Sequence, residues 1–170
     1  MKRLYLLRHA KSSWRDATLD DVARPLNKRG RRDAPRMGAA LGHRLSPMTF
    51  HCSPARRAQL TFAGLCAGWS GLQAEYCIVD NALYTFDVGA LLDWIGARPE
   101  EGQELAIIGH NPALTELVNW LAGPATLENL PTAGWVELDL PILSWSDIGC
   151  VHGSGAADFM LFPRSLQGSG

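Results

Sequence analysis

The chain has 170 residues, 46% hydrophobic and 19% charged, with a formal net charge of −1. That balance suits one globular domain and leaves no electrostatic footprint for nucleic acid or an anionic membrane. No apolar run approaches the roughly 18 residues of a membrane span; the N-terminus enters a strand pattern with no signal-peptide region, so a cytoplasmic protein is expected.

Leu4-Tyr5-Leu6-Leu7 is an apolar run that stops at Arg8-His9. It reads as a strand buried on both faces, although periodicity alone does not separate it from a buried helix segment. Residues 11–28 have no regular period and read as a loop. A helix follows to about Leu45, with Ala34, Met37, Leu41 and Leu45 on one face. Its start is open: Asn27 as cap leaves Pro35 in the interior, whereas Asp33 as cap puts Pro35 in the tolerated first turn. Met48–Cys52 is a short strand. Ser53 as N-cap and Pro54 at the first helical position open a helix to Trp69, with Ala58, Phe62, Leu65 and Trp69 inward. Arg56 and Arg57 then sit near the positive end of that helix, which is unfavourable unless an anion joins them.

Glu75–Val79 is another short strand. Asp87 caps a helix carrying Val88, Leu91, Leu92 and Ile95, ended by Gly96 and Pro99. Leu105–Ile108 is a second buried strand and runs into Gly109-His110-Asn111-Pro112. Asn111 as cap and Pro112 open a helix with Leu114, Leu117, Val118 and Leu121 on one face, closed by Gly123-Pro124. Trp135–Leu140 alternates like a strand with one wet side, and Asp158–Phe162 is a final strand after a turn at Gly153–Gly155. The order predicts an α/β fold: a three-layer α/β/α sandwich with a mostly parallel central sheet and an antiparallel C-terminal end. One domain is expected over residues 1–166, with a frayed tail at residues 167–170. Cys52, Cys66, Cys77 and Cys150 show neither CxxC nor tight metal spacing and read as reduced, mostly buried thiols.

Three strand ends carry chemistry: Arg8-His9, Ser53-Pro54 with Arg57, and Gly109-His110. In open α/β sheets, ligands bind outside such ends. Two histidines and two arginines at helix N-termini suit a doubly charged tetrahedral oxyanion. Arginine supplies a rigid fork for its oxygens, and helix N-termini supply N–H groups. One histidine can be the nucleophile and the other a charge stabiliser. His43, His51 and His152 read as structural or surface residues, and Cys52 as core.

These motifs resemble the histidine phosphatase superfamily, with its phosphoglycerate mutase-like fold, and within it the small SixA-type phosphohistidine phosphatases. The superfamily's Arg-His-Gly motif stands here as Arg8-His9-Ala10. Its Ser-Pro-x-x-Arg-Ala-x-x-Thr stretch stands as Ser53-Pro54-Ala55-Arg56-Arg57-Ala58-Gln59-Leu60-Thr61, and its Gly-His stretch as Gly109-His110. Arg24-Pro25-Leu26 with Gly30 is similar to the SixA-type pattern. The resemblance implies that His9 is the nucleophile and becomes phosphorylated. Arg8, Arg57 and His110 hold the phosphoryl group, and Arg24 adds a contact. It implies no cofactor and no metal, and as partner a phosphohistidine-bearing protein or a small phosphorylated molecule.

Two positions depart from the pattern. Ala10 replaces a glycine. The acid expected just after Leu83 is missing, because Tyr84 and Thr85 stand there; Asp87 is the nearest substitute, and Asp16, Asp20 and Asp21 are others. A leaving imidazole needs a proton less than a leaving alkoxide, so the missing acid favours protein phosphohistidine over small phosphomonoesters. Residues 69–104 hold little that could form a lid, which predicts an open, shallow pocket. Two other classes remain. One is a zinc hydrolase using His9, His51, Cys52 and His110, opposed by the adjacent arginines and the lack of ligand-pair spacing. The other is a catalytically silent domain that binds a phospho-ligand or partner.

Overall fold

The apolar run near the N-terminus becomes a central strand of the sheet. In the computed structural model, which describes residues 1–100 and 102–166, the elements are β1 (Lys2–Arg8), α1 (Lys28–Gly42), β2 (Phe50–Cys52), α2 (Arg56–Gly68), β3 (Cys77–Val79), α3 (Val88–Gly96), β4 (Glu104–Gly109), α4 (Ala113–Ala122), β5 (Trp135–Leu140) and β6 (Ala156–Leu161). The expected tail at residues 167–170 lies outside the described residues. The strands form one sheet in the order β3-β2-β4-β1-β5-β6. The first four run parallel, β5 is antiparallel to β1, and β6 is antiparallel to β5.

Alternation along the central strands fills two cores. Leu4, Leu6 and Ile107 face α3 and α4, against Leu91, Leu114 and Val118. Tyr5, Leu7 and Ile108 face α1 and α2, against Met37, Phe62 and Leu65. Burial on both faces is what the continuous apolar runs require.

The structure settles several local choices. Asn27 is the cap of α1, its Oδ1 accepting from Gly30 N at 2.9 Å, so Pro35 lies inside the helix. An interior proline costs about 3 kcal/mol in isolation. Here packing outweighs it: α1 and α2 touch through small residues, and a Cβ at Gly68 would lie 2.0 Å from the Pro35 carbonyl oxygen. The helix after β2 starts at Arg56 rather than at Ser53, because the Ser53 hydroxyl is used in a turn with Ala55 N and in a contact with His110. Likewise α4 starts at Ala113. Asn111 Oδ1 accepts from Thr115 N at 3.1 Å, and its Nδ2 donates to Leu130 O at 2.9 Å, holding the following loop.

The wet side expected for β5 is absent. Glu137 is fully buried, since β6 and the segment after α1 cover it. Arg44 reaches in with Nε and Nη2, both 3.0 Å from the carboxylate, and Trp135 Nε1 donates at 3.1 Å. Of the four cysteines only Cys52 is buried; Cys66 and Cys77 are half-buried and Cys150 is exposed, so "mostly buried" is corrected. Among the described residues, no helix is long and apolar enough to cross a membrane.

Candidate active site

Strand register brings the three chemical strand ends to one level. Arg8 pairs with Gly109 across β1 and β4, and Cys52 pairs with Ile108 across β2 and β4. The residues just beyond are therefore neighbours: His9 N donates to Gly109 O at 3.2 Å and Ser53 N to Ile108 O at 3.1 Å. The loop between α4 and β5 backs them, Ala133 N donating to the carbonyls of Arg8 and His9 at 3.0 and 3.1 Å.

His9 is buried, and its tautomer follows from its partners. Nδ1 lies 2.7 Å from Ala10 O, a carbonyl that only accepts, so Nδ1 carries the proton. Nε2 keeps its lone pair and accepts from Arg57 Nε at 3.4 Å. Burial pushes the imidazole down to about 3; the bond to Ala10 opposes this, and His110, Arg57 and Arg8 add to it. The neutral, nucleophilic form is thus secured mainly by desolvation, with the arginines secondary.

His110 is the second imidazole, its ring centroid 5.2 Å from that of His9. Arg57 Nη2 donates to its Nδ1 at 3.3 Å, so its Nε2 donates to Ser53 Oγ at 2.7 Å. Burial lowers it to about 4, with Arg57 contributing next. The serine of the Ser-Pro stretch is thereby explained as the residue that orients His110. The threonine of the same stretch is engaged on both sides. Thr61 Oγ1 donates to Arg57 O at 2.7 Å and accepts from Ala10 N at 2.8 Å, tying the strand end that carries His9 to α2. Ala10 is not among the described non-glycine residues with positive φ, so a side chain fits there.

Arg57 is 2% exposed and uses its whole fork. Besides the two histidines, Nη1 donates to Asp21 O at 2.7 Å and Nη2 to Asp21 Oδ2 at 3.0 Å. Asp21 is the anion that a cation at a helix N-terminus calls for. Burial would raise the Asp21 carboxyl, but hydrogen bonds from Tyr84 and Arg57 and the charge of Arg57 outweigh it and hold it at about 2. Arg8 donates from Nη1 to Leu130 O at 2.9 Å, while its buried Nε has no hydrogen-bond partner among the described residues. That free donor, beside two imidazoles and a guanidinium, is suited to an oxyanion.

The other predicted positions divide. Arg24 is buried but occupied: it donates to Ser12 Oγ at 2.8 Å, pairs with Asp21 Oδ1 at 3.1 Å, and lies 3.6 Å from the Trp14 ring centre. It braces Asp21. Gly30 packs closely on the first loop, where a Cβ would come within 2.2 Å of Lys11 O. Asp87 caps α3, accepting from Ala90 N at 2.8 Å, and no hydrogen bond or ion pair among the described residues joins it to His9, Arg57 or His110. His51 meets Trp94 edge-on at 5.2 Å and Cys52 donates to Ser53 O, so these two do not join His9 and His110 as a ligand set.

Sequence reasoning missed Tyr84 as a site residue. Its hydroxyl donates to Asp21 Oδ2, and its ring meets His110 edge-on at 5.5 Å. Phe86 also packs on His110, at 5.3 Å. The stretch after α2 therefore contributes aromatic walls, and Tyr84 meets Asp21 beside His110. The signal available was Tyr84 itself, an aromatic hydroxyl in the position expected for an acid.

A chloroplastic, uncharacterized protein of Arabidopsis thaliana is 28% identical over 167 residues, covering 91% of this chain and 73% of its own. The structure of the protein histidine phosphatase SixA complexed with tungstate superposes with a TM-score of 0.76 at 22% identity, covering 97% of this chain and 99% of that one. A mycobacterial glucosyl-3-phosphoglycerate phosphatase complexed with VO3 gives 0.65 at 18%, covering 94% and 98%. These two structural likenesses establish the fold. The family's sequence model matches residues 4–105, the span that holds His9, Arg24 and Arg57, and with it the chain belongs to the histidine phosphatase superfamily (branch 1).

Proposed function

We propose that the protein is a metal-independent phosphatase that works through a phosphohistidine on His9 and acts on phosphohistidine side chains of a protein. The observation that carries the nucleophile is the fixed tautomer of His9, with Nδ1 bound to Ala10 O and Nε2 bare of its proton. The Nε2 lone pair forms a bond to phosphorus while the bond to the leaving group breaks in line. Arg8 and Arg57 take the equatorial oxygens, and His110 lines the same centre. Water then cleaves the N–P bond and returns neutral His9 with inorganic phosphate.

The leaving group is read from the protons. Asp21 is the carboxylate against Arg57, and it is held ionised, at about 2, so it does not serve as a ready proton donor. An alkoxide leaving group needs such a donor; the phosphohistidine ring instead takes a solvent proton on its distal nitrogen before the N–P bond breaks, and so leaves as neutral imidazole. Tungstate on the protein histidine phosphatase SixA accords with an oxyanion in the same fold. The second reading, a small-molecule phosphomonoesterase, is favoured by the fold shared with the glucosyl-3-phosphoglycerate phosphatase.

A substrate panel decides between them. Phosphohistidine peptide is expected to be hydrolysed well ahead of phosphoserine peptide and sugar phosphates, without loss in EDTA. Acid-free quenching during turnover should trap label on His9, labile to acid and stable to alkali. A sugar phosphate leading the panel would install the second reading, and label on His110 would reverse the two histidines. Loss of activity in EDTA, restored by Zn²⁺ or Mg²⁺, would overturn the metal-independent chemistry.

A further inference from the structure

The near-neutral net charge conceals a division. Residues 1–72 carry fourteen of the sixteen Lys and Arg and four of the seventeen Asp and Glu; residues 73–170 carry two and thirteen. The fold turns this into two sides. Helices α1 and α2 cover one side of the sheet, while α3 and α4 cover the other.

On the cationic side, charge is concentrated against local preference. Lys28, Arg29, Arg31 and Arg32 crowd the first turns of α1, and its one carboxylate, Asp33, is buried and shared by Arg29, Arg32 and Arg36 at 3.6, 3.4 and 3.8 Å. Cations at a helix N-terminus oppose the macrodipole, and like charges three or four residues apart repel. Arg56 repeats the arrangement at the start of α2. A groove of about 530 Å³ lies between, lined by Arg15, Lys28, Arg31 and Arg56, with Asp16 and Leu19. Arg15, Lys28 and Arg56 are exposed and take part in no ion pair among the described residues. The groove adjoins the catalytic centre: Arg56 precedes Arg57, and Ser13 on its wall accepts from Arg24, the brace of Asp21.

We infer that this groove docks an acidic surface of the phosphohistidine-bearing protein beside its phosphorylated side chain. The inference rests on the phosphohistidine reading of the site. An acidic protein fits better than nucleic acid, because residues 73–170 carry thirteen carboxylates that repel a long polyanion running beyond the groove. The same division gives the molecule an electric polarity that turns its catalytic end toward an acidic partner and speeds encounter at low salt.

The test compares three substrates: a phosphohistidine peptide flanked by Glu, the same peptide flanked by Gln, and free phosphohistidine. Wild type is expected to show a kcat/KM at least roughly tenfold higher for the Glu peptide, with the advantage lost as NaCl rises from about 20 to about 300 mM. The triple variant R15E/K28E/R56E should lose that advantage and keep its rate on free phosphohistidine, which also proves it folded. Equal rates on both peptides in wild type, or an unchanged preference in the variant, would overturn the docking role. Failure of the parent reading looks different: no phosphohistidine compound is turned over, free phosphohistidine included. A labelled non-hydrolysable Glu-rich peptide then still tests the groove by anisotropy; binding abolished in R15E/K28E/R56E upholds it as an acidic-peptide site. Tighter binding of a single-stranded RNA oligonucleotide than of that peptide would overturn it in favour of nucleic acid.

Discussion

Two buried polar clusters lie on this sheet, and they are built in opposite ways. Around Glu137 every charge is answered: Arg44 forks onto the carboxylate, Trp135 donates to it, and Arg3 stands 3.8 Å away. Around His9 the charges are left unbalanced. Two arginines and two neutral imidazoles face one partly exposed carboxylate, and Arg8 Nε donates to nothing among the described residues. A charge-balanced network holds elements together; a network short of an anion is a binding site for one.

Substitutions separate the two. His9→Ala should abolish turnover and covalent labelling together, the largest effect expected; near-normal activity in that variant would sink the assignment. On the proposed mechanism Arg57→Ala keeps the nucleophile and removes a donor to the transition state, so kcat/KM should fall on the order of 10²–10³. Glu137→Ala should do the reverse, leaving kcat nearly unchanged while costing about 2–3 kcal/mol in urea unfolding. That is less than the roughly 3–5 kcal/mol of a fully enclosed pair, since the half-exposed Arg44 can turn to water. A large loss of activity at unchanged stability would erase the contrast.

Acid sharpens it further. The folded state holds His9 at about 3 and His110 at about 4, whereas the unfolded chain protonates both near the ordinary value of 6.5. Between those limits the unfolded state binds more protons, so stability must fall as pH falls. About 1 kcal/mol should go between pH 7 and pH 6 for the pair together. His9→Ala should reduce that slope, which chemical unfolding at a series of pH values can read. The smallest change is expected from Asp21→Asn, which frees Arg57 from a competing carboxylate and should lower KM roughly two- to fivefold with kcat little altered. A collapse of kcat would instead make Asp21 a proton-transfer residue.

Much of this was legible in the chain. Apolar runs ending in Arg8-His9 and Gly109-His110 placed two buried strands and the chemistry at their ends, because a strand without alternation must be covered on both faces. The caps at Asn27 and Asp87 could be read as local hydrogen-bond preferences, although Asn27 prevailed over Asp33 only through packing of α1 on α2. The starts of α2 and α4 were misread because Ser53 and Asn111 spend their side chains on partners far away in sequence. The wet face assigned to β5 failed for the same reason: Glu137 looks solvated until Arg44, 93 residues away, is brought to it.

The sequence by itself determined the order of elements, the layers of the sandwich and the four residues gathered at the strand ends, since periodicity and short motifs are local properties. Only the tertiary structure decided the state of those residues. Burial, which no motif encodes, keeps His9 neutral. The meeting of two loops brings Asp21 to Arg57 and Tyr84. And the placement of α1 and α2 on one side of the sheet turns a run of cations into a face.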